Sequence, residues 1–158
     1  MNAPPAVAPV RLFCTFVVAG RTFAIAAAAV TEVFRGRVTT TVPRGPAAIR
    51  GLLNLRGRIV PAIDMRRRLG FEADPRDEEL HVVVVAGGGE AYSLLVDAIA
   101  DVVEIPLGGI EPPTAAAEGA TAECIEGVHA GRGGLVHVLA LEAILAGLSG
   151  TTLERKTR

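Results

Sequence analysis

The sequence predicts a mainly β protein. It should consist of two similar subdomains of about five short strands each, closed as small barrels and packed together, with short helices including a C-terminal one. Three observations lead there. Apolar residues make up 50% of the chain and aromatics only 4%, so Val, Ile, Leu and Ala must supply the packing, and β-branched and small residues in short runs favour strands. Turn residues break those runs every few positions. The resulting pattern then repeats once along the chain, as two subdomains each too small for a good core alone would require.

Taken in order, residues 1–10 read as an Ala/Pro-rich tail. Arg11–Ala19 and Thr22–Ala26 are strands around a turn at Gly20, and Ala27–Val33 is a helical turn running into a strand. Val38–Pro43 is a short β-branched segment ended by proline. Ile49–Leu55 and Arg58–Ile63 are strands joined at Arg56-Gly57, and Met65–Leu69 is a short helix stopped by Gly70 in the left-handed cap position. Phe71–Glu79 is an acidic linker. The second half opens with His81–Ala86, a β-branched run typical of a buried strand. Gly87-Gly88-Gly89 turns the chain into Ala91–Val96, and Ile99–Ile105 follows. Pro106–Glu123 is a long Gly/Pro/Ala loop, Cys124–Ala130 and Leu135–Leu139 are strands, Leu141–Leu148 is a closing helix, and 150–158 is a polar tail. The expected division is one domain, 11–149, with subdomains 11–79 and 80–149.

The repeat can be checked by register. Adding 69 carries Phe16 to Val85, Gly20 to Gly89, Phe23 to Tyr92, Val30 to Ile99, Glu32 to Asp101 and Val33 to Val102. Adding 76 carries Ile49 to Ile125, Gly51 to Gly127, Arg56 to Arg132 and Ile63 to Leu139, and the loop 106–123 absorbs the seven extra residues.

Formal net charge is −1, which does not point to bulk nucleic-acid binding; a small β-barrel nucleic-acid binder is the rival reading from another class, and the scarcity of aromatics argues against it. Charge is unevenly spread. Residues 1–79 carry 12 arginines against 7 carboxylates, a net of +5, and residues 80–158 carry 4 cations against 10 carboxylates, a net of −6. Such halves could pair head to tail with a relative, or could be two solvated surfaces. Cys14 and Cys124 lie in apolar runs without metal or redox spacing and read as buried free thiols. No apolar run reaches the roughly 18–20 residues of a membrane span, and the N-terminus lacks the features of a signal peptide, so the expectation is a soluble, cytoplasmic protein without membrane insertion.

Catalytic readings find little support. His129 and His137 flank the Gly131–Gly134 turn and could face each other, but no Cys or carboxylate follows at ligand spacing, so no metal is expected. Ser93 lacks a nucleophile-elbow context. Gly87-Gly88-Gly89 lacks the Lys-Ser/Thr of a phosphate loop and reads as a hairpin turn. Arg66-Arg67-Arg68 reads as a solvated helix face. The segment 49–65 stands apart. It sets Gly51, Gly57 and three arginines within an apolar strand pair, where glycine marks a bulge or close approach and Pro61 marks an edge or bulge. Arg56 at the turn should project from a barrel end, where it could make a bidentate pair with a partner carboxylate. Physics alone leaves Arg50, Arg56 and Arg58 open between a binding site and ordinary surface residues.

At this point a family likeness enters. From about Leu12 to Leu148 the chain resembles the CheW-like coupling proteins of bacterial chemosensory arrays. The matching pieces are Phe23-Ala24-Ile25, Val30-Thr31-Glu32-Val33, Val42-Pro43, Ile49-Arg50-Gly51, Asn54-Leu55-Arg56-Gly57, Ile59-Val60-Pro61 and Ile63-Asp64-Met65-Arg66 with Leu69-Gly70. Weaker matches in the second half are Val96-Asp97, Asp101-Val102 and Ile125-Glu126-Gly127. The resemblance implies paired five-stranded SH3-like barrels, no catalytic activity and no cofactor. It implies an adaptor that couples the cytoplasmic tip of a methyl-accepting chemoreceptor to the regulatory domain of a CheA-type histidine kinase, with other CheW-like molecules as further ring partners. An output other than chemotaxis, such as motility or development, is the alternative within the family. Carried over by motif, Val30, Glu32, Val33, Gly51, Asn54, Arg56, Gly57 and Val82 would bind receptor, and Ile99, Asp101 and Val102 would make kinase or ring contacts. The chain departs from the family pattern at the plain Ala26–Ala29 run and at Leu139-Ala140, where leucine-aspartate is usual.

Overall fold

The computed structural model describes residues 9–38, 47–113, 119–146 and 148; most of the two expected tails and the segment after Val38 lie outside the described residues. Ten strands are described: β1 (Val10–Val18), β2 (Arg21–Ala26), β3 (Val30–Gly36), β4 (Ile49–Leu55), β5 (Arg58–Asp64), β6 (Glu79–Val85), β7 (Ala91–Val96), β8 (Ala98–Pro106), β9 (Ile125–Gly131) and β10 (Gly134–Leu139). The short helices are α1 (Met65–Arg68), α2 (Gly119–Cys124) and α3 (Leu141–Ala146). Two expectations change. The loop 106–123 ends in α2, which turns Thr121 and Cys124 inward at helical spacing while the Thr121 hydroxyl donates to the Leu69 carbonyl. An Ala-rich run reads as loop by simplicity, yet alanine is the best helix former. Glu79, assigned to the linker, is the buried first residue of β6.

The strands form two five-stranded sheets, β8-β1-β2-β10-β9 and β3-β6-β7-β5-β4. Neighbours are antiparallel except β2 with β10 and β5 with β7. Glu111, just beyond β8, bridges to Val128 in β9 through two 2.8 Å backbone hydrogen bonds and so joins the two ends of the first sheet into a barrel. The halves 11–79 and 80–149 do not each close a sheet. The second sheet is one continuous stretch, β3 to β7, while the first combines the N-terminal hairpin β1–β2 with β8–β10. Alternation in a sequence shows which face of a strand is buried, not which strand lies beside it. The chain crosses between sheets twice, through the 3-10 turn Ala27–Ala29 and through Asp97 alone.

The repeat itself is visible in this topology. Replacing β1–β5 by β6–β10 and the reverse converts the strand order of one sheet into that of the other. One register step needs correction: Phe16 lies opposite Phe23 and Ile99, and the residue opposite their equivalents Tyr92 and Val30 is Val84, not Val85. β1 therefore maps onto β6 with an offset of 68, and the Ala86–Gly89 turn holds the extra residue.

The main apolar cluster draws on both sheets, with Phe16, Phe23, Ile25 and Leu139 from one and Ile63, Val82, Val84 and Leu94 from the other, closed by Met65, Leu69, Cys124 and Ile144 of the helical layer. A smaller cluster, Phe13, Ala24, Ile105 and Val138, fills the first barrel. Each such large side chain stabilises by about 1.5–3 kcal/mol, so the sheets are held together by the same cluster that folds them. The nested topology also shares the charged strand residues of the two halves between the sheets. The strands of the first sheet carry Arg11 and Arg21 against Asp101, Glu104 and Glu126; those of the second carry Arg35, Arg50 and Arg58 against Glu32, Asp64 and Glu79. Both sets of strands are near neutral, so each sheet draws on the basic and the acidic half of the sequence.

Candidate functional site

The hairpin β4–β5 turns on two residues, Arg56 with φ 51° and Gly57 with φ 83°. That left-handed pair is the turn whose twist matches the flanking strands, and its second position favours glycine. The Asn54 Oδ1 accepts from the Gly57 N–H at 3.0 Å. Asn54 and Gly57, expected as binding residues, are thus occupied in shaping the turn that presents Arg56.

Arg56 is not a free cation. Its guanidinium reaches across to β3 and makes a bidentate pair with Glu32, Nη2 donating to Oε1 at 3.1 Å and Nη1 to Oε2. The Glu32 hydrogen bonds and charge raise the Arg56 pKa above its ordinary value. Glu32 is set in place by a β-bulge, since the register shifts between Val30 and Glu32 while Thr31 donates its hydroxyl to the Val83 carbonyl at 3.3 Å. Val33, beside it, is 44% exposed, and Val30 is half-buried against the main cluster. Gly51 is buried at a second bulge, in β4. Val82 corrects the carried-over set: it lies opposite Val33 at 1% exposure within the core, so it supports the surface from beneath and offers no atoms to a partner.

The repeat-related place on β8 differs. Ile99 and Val102 are 42% and 61% exposed. Thr15, at the irregularity in β1, exchanges hydrogen bonds with the Asp101 backbone, donating to its carbonyl at 2.7 Å and accepting from its N–H at 2.9 Å. The exposed Asp101 lines a cavity of about 480 Å³ together with Glu104, His129, Arg132 and Leu135. Among the described residues Arg132 has no ion pair: its turn has positive φ at Gly134 rather than at the arginine, and Asp101 is one methylene shorter than Glu32. The first repeat therefore presents a closed Glu–Arg pair and the second an open cavity.

Several arginines expected at the surface are structural. Arg50 is the extra residue of the β4 bulge and pairs with the buried carboxylates of Asp64, at 2.7 Å, and Glu79. Arg66 makes a bidentate pair with Asp97 at 2.9 and 2.7 Å, and Asp97 also accepts from the Ala19 N–H at 2.7 Å. Burial alone would raise the Asp97 carboxyl, but these hydrogen bonds and the Arg66 charge outweigh it and hold its pKa below the ordinary range. Arg68 donates to the Ala143 and Ile144 carbonyls, capping α3. The triplet is thus not a solvated face. The signal that was available is its spacing, since a one-turn helix points three successive residues in three directions.

The polar groups elsewhere are closed off. His81 Nδ1 lies 2.6 Å from the Ser93 hydroxyl and Nε2 3.1 Å from the Gly36 carbonyl, and its ring stacks on Phe34 at 4.6 Å. Both His81 and Ser93 are fully buried, so no substrate reaches the pair. His129 and His137 do not face each other: His129 lies opposite Val136 and contacts the Gly109 carbonyl at 2.8 Å, while His137 lies opposite Val128 and contacts the Thr22 carbonyl at 3.3 Å. Cys14 and Cys124 are free, with thiol pKa values raised by burial. Among the described residues no group of His, Cys, Asp and Glu could hold a metal ion, and no helix is long and apolar enough to cross a membrane.

Two nested five-stranded sheets, the first closed as a barrel, with exposed Val33 and an ion pair on one repeat and exposed Ile99 and Val102 on the other, define a β-barrel protein-interaction module. The chain belongs to the CheW-like domain family, whose model matches residues 12–149. It is 30% identical over 135 residues to the chemotaxis protein CheW of Rhizobium meliloti, covering 85% of this chain and 86% of the relative. It is 27% identical over 130 residues to the Bacillus subtilis chemotaxis protein CheW, covering 82% and 83%. The crystal structure of the scaffolding protein TtCheW from Thermoanaerobacter tengcongensis superimposes with a TM-score of 0.75 at 26% identity, covering 84% of this chain and 90% of that one.

Proposed function

We propose that this protein is a noncatalytic scaffold of a chemosensory array. It would couple the cytoplasmic tip of a chemoreceptor to the regulatory domain of a CheA-type histidine kinase, from the cytoplasmic side of the membrane. The observation that carries the receptor side is the exposed Arg56–Glu32 pair beside Val33. An arginine fork presented on a left-handed turn can exchange its internal carboxylate for one on a partner, and exposed Val33 supplies apolar contact area beside it. Ile99, Asp101 and Val102, exposed on the repeat-related strand β8, are the proposed kinase or ring contacts. Family membership supports this assignment over a nucleic-acid reading.

Glu32 sets how the receptor site works. A receptor carboxylate must displace it, so Glu32 competes with the receptor for Arg56. In a pull-down with a receptor-tip fragment, Arg56→Ala should weaken binding about tenfold, the usual scale for a charged hydrogen bond. Glu32→Gln should leave binding equal or stronger. Unchanged binding by Arg56→Ala would remove Arg56 from the interface, and a Glu32→Gln loss matching that of Arg56→Ala would show that the pair acts as a unit rather than as site and competitor.

A further inference from the structure

Two ion pairs occupy equivalent places in the two repeats with their signs exchanged. In the second sheet the pair is Arg50 on β4 with Glu79 on β6. Residue 50 corresponds to Glu126 on β9 by the offset of 76, and residue 79 corresponds to Arg11 on β1 by the offset of 68 fixed by strand register. Arg11 and Glu126 are indeed paired, at 3.7 Å. Where one repeat has arginine the other has glutamate, in both positions, and both contacts survive.

The inversion bears on a choice the fold has to make. The hairpins β1–β2 and β6–β7 are equivalents, and each docks between strands that belong to the other half of the sequence. β1–β2 and β3–β5 are complete before β6–β7 exists on a chain made from its N-terminus, and early-made segments fold as units. The first hairpin could then settle between β3 and β5, in the place of β6–β7. That arrangement sets Arg11 against Arg50, with Asp64 the only carboxylate of the native Arg50 network remaining there, and leaves Glu79 to face Glu126. The native arrangement makes two unlike pairs, and the early arrangement makes two like ones.

We propose that this sign-inverted quartet, Arg11, Glu126, Arg50 and Glu79, steers the two equivalent hairpins to their native sheets. The device costs nothing in the native state, because unlike charges meet in both repeats. It acts only against the misdocked chain, which is how one sequence keeps two similar docking sites from exchanging occupants.

The test exchanges the exposed pair. R11E/E126R keeps an unlike pair in the first sheet between side chains that are both 43% exposed, and gives up only the stacking of the Arg11 guanidinium over the Phe13 ring at 4.9 Å. It makes the hairpins equivalent in charge at this position, so the carboxylate introduced on β1 is now attracted to Arg50. Refolding from urea is followed by far-UV circular dichroism, with the products resolved by size exclusion. R11E/E126R should show a slow phase or an exchanged dimer about two- to fivefold above the wild-type level, the change in partition that an exposed charge pair can make. Proline-limited phases are common to both chains. The wild type in about 1 M salt, which screens exposed pairs, should drift toward the R11E/E126R behaviour, and this arm decides if the variant fails to fold. Wild-type refolding by R11E/E126R, or no salt effect on the wild type where the variant does not fold, overturns the proposal.

Discussion

Gly127→Ala tests the closure of the first barrel. An alanine Cβ at this position would stand 2.4 Å from the Glu111 carbonyl oxygen and 2.5 Å from Ile110 Cγ2. Normal contact needs roughly 1 Å more, and the nearer atom is backbone, which cannot swing aside as a side-chain tip can. The Glu111–Val128 bridge must open. Its two 2.8 Å hydrogen bonds are worth about 1–3 kcal/mol together, and lifting Ile110 from the smaller cluster adds about 1 kcal/mol. The expected loss is about 2–4 kcal/mol. In urea that moves the midpoint down by about 1–2 M, and in a thermal scan it lowers Tm by about 5–15 °C. Gly133→Ala is the control, because a Cβ there meets nothing within 4 Å and its φ is not left-handed; it should stay within about 0.5 kcal/mol of wild type. If Gly127→Ala unfolds at the wild-type midpoint and the Val128 amide keeps its protection from hydrogen exchange, the bridge does not close the barrel in solution.

Two further predictions concern buried charge. Arg50→Ala strands the Asp64 and Glu79 carboxylates, whose side chains are 4% and 8% exposed. Breaking a buried pair by removing one partner costs about 3–5 kcal/mol, and the partial exposure of Arg50 places this case near the lower end; a urea midpoint within error of wild type would show that water already solvates the pair. Burial lowers the His81 pKa, outweighing the hydrogen bond to Gly36 and the Glu79 charge. The unfolded chain therefore takes up a proton near pH 6.5 that the folded chain refuses. The His81 contribution is complete above about pH 7 and is lost as pH falls from about 6.5 toward the folded value, with a slope of at most about 1.4 kcal/mol per pH unit. His81→Gln should flatten that slope in urea melts between about pH 7.5 and 5.5, and an equal slope in variant and wild type would show that His81 is not its source.

The strands were legible because each is short, β-branched and bounded by turn residues. β4, β5, β7 and β10 lie within a residue of their expected ends. The repeat was legible as well, except where Val84 and Val85 offered no distinguishing side chain to fix a one-residue step. Pairing was not legible. Nothing in the β1 or β6 sequence says that each hairpin leaves its own half, because the contacts that decide it, such as Cys14 against Val102 and Val33 against Val82, join residues far apart in sequence with common apolar side chains. For the site, the expectation that Arg56 projects from a turn holds, and the Asn54–Gly57 bond explains why that tetrapeptide is distinctive. The Glu32 partner and the burial of Val82 depend on which strand lies beside which, so they became visible only with the sheets assembled. The Arg50 network was missed for the same reason, although Asp64 and Glu79 were in plain view.

The two crossings between barrels are unusually short, three residues at Ala27–Ala29 and one at Asp97, and Asp97 is clamped from one barrel by the Ala19 amide and from the other by the Arg66 fork. Such a joint has no slack to act as a hinge. A torque applied at β3 would reach β8 as a rotation of the whole body instead of being lost in a linker. A part placed between two other proteins can then work as a stiff lever, fixing their spacing and angle, and small displacements at one end arrive undiminished at the other.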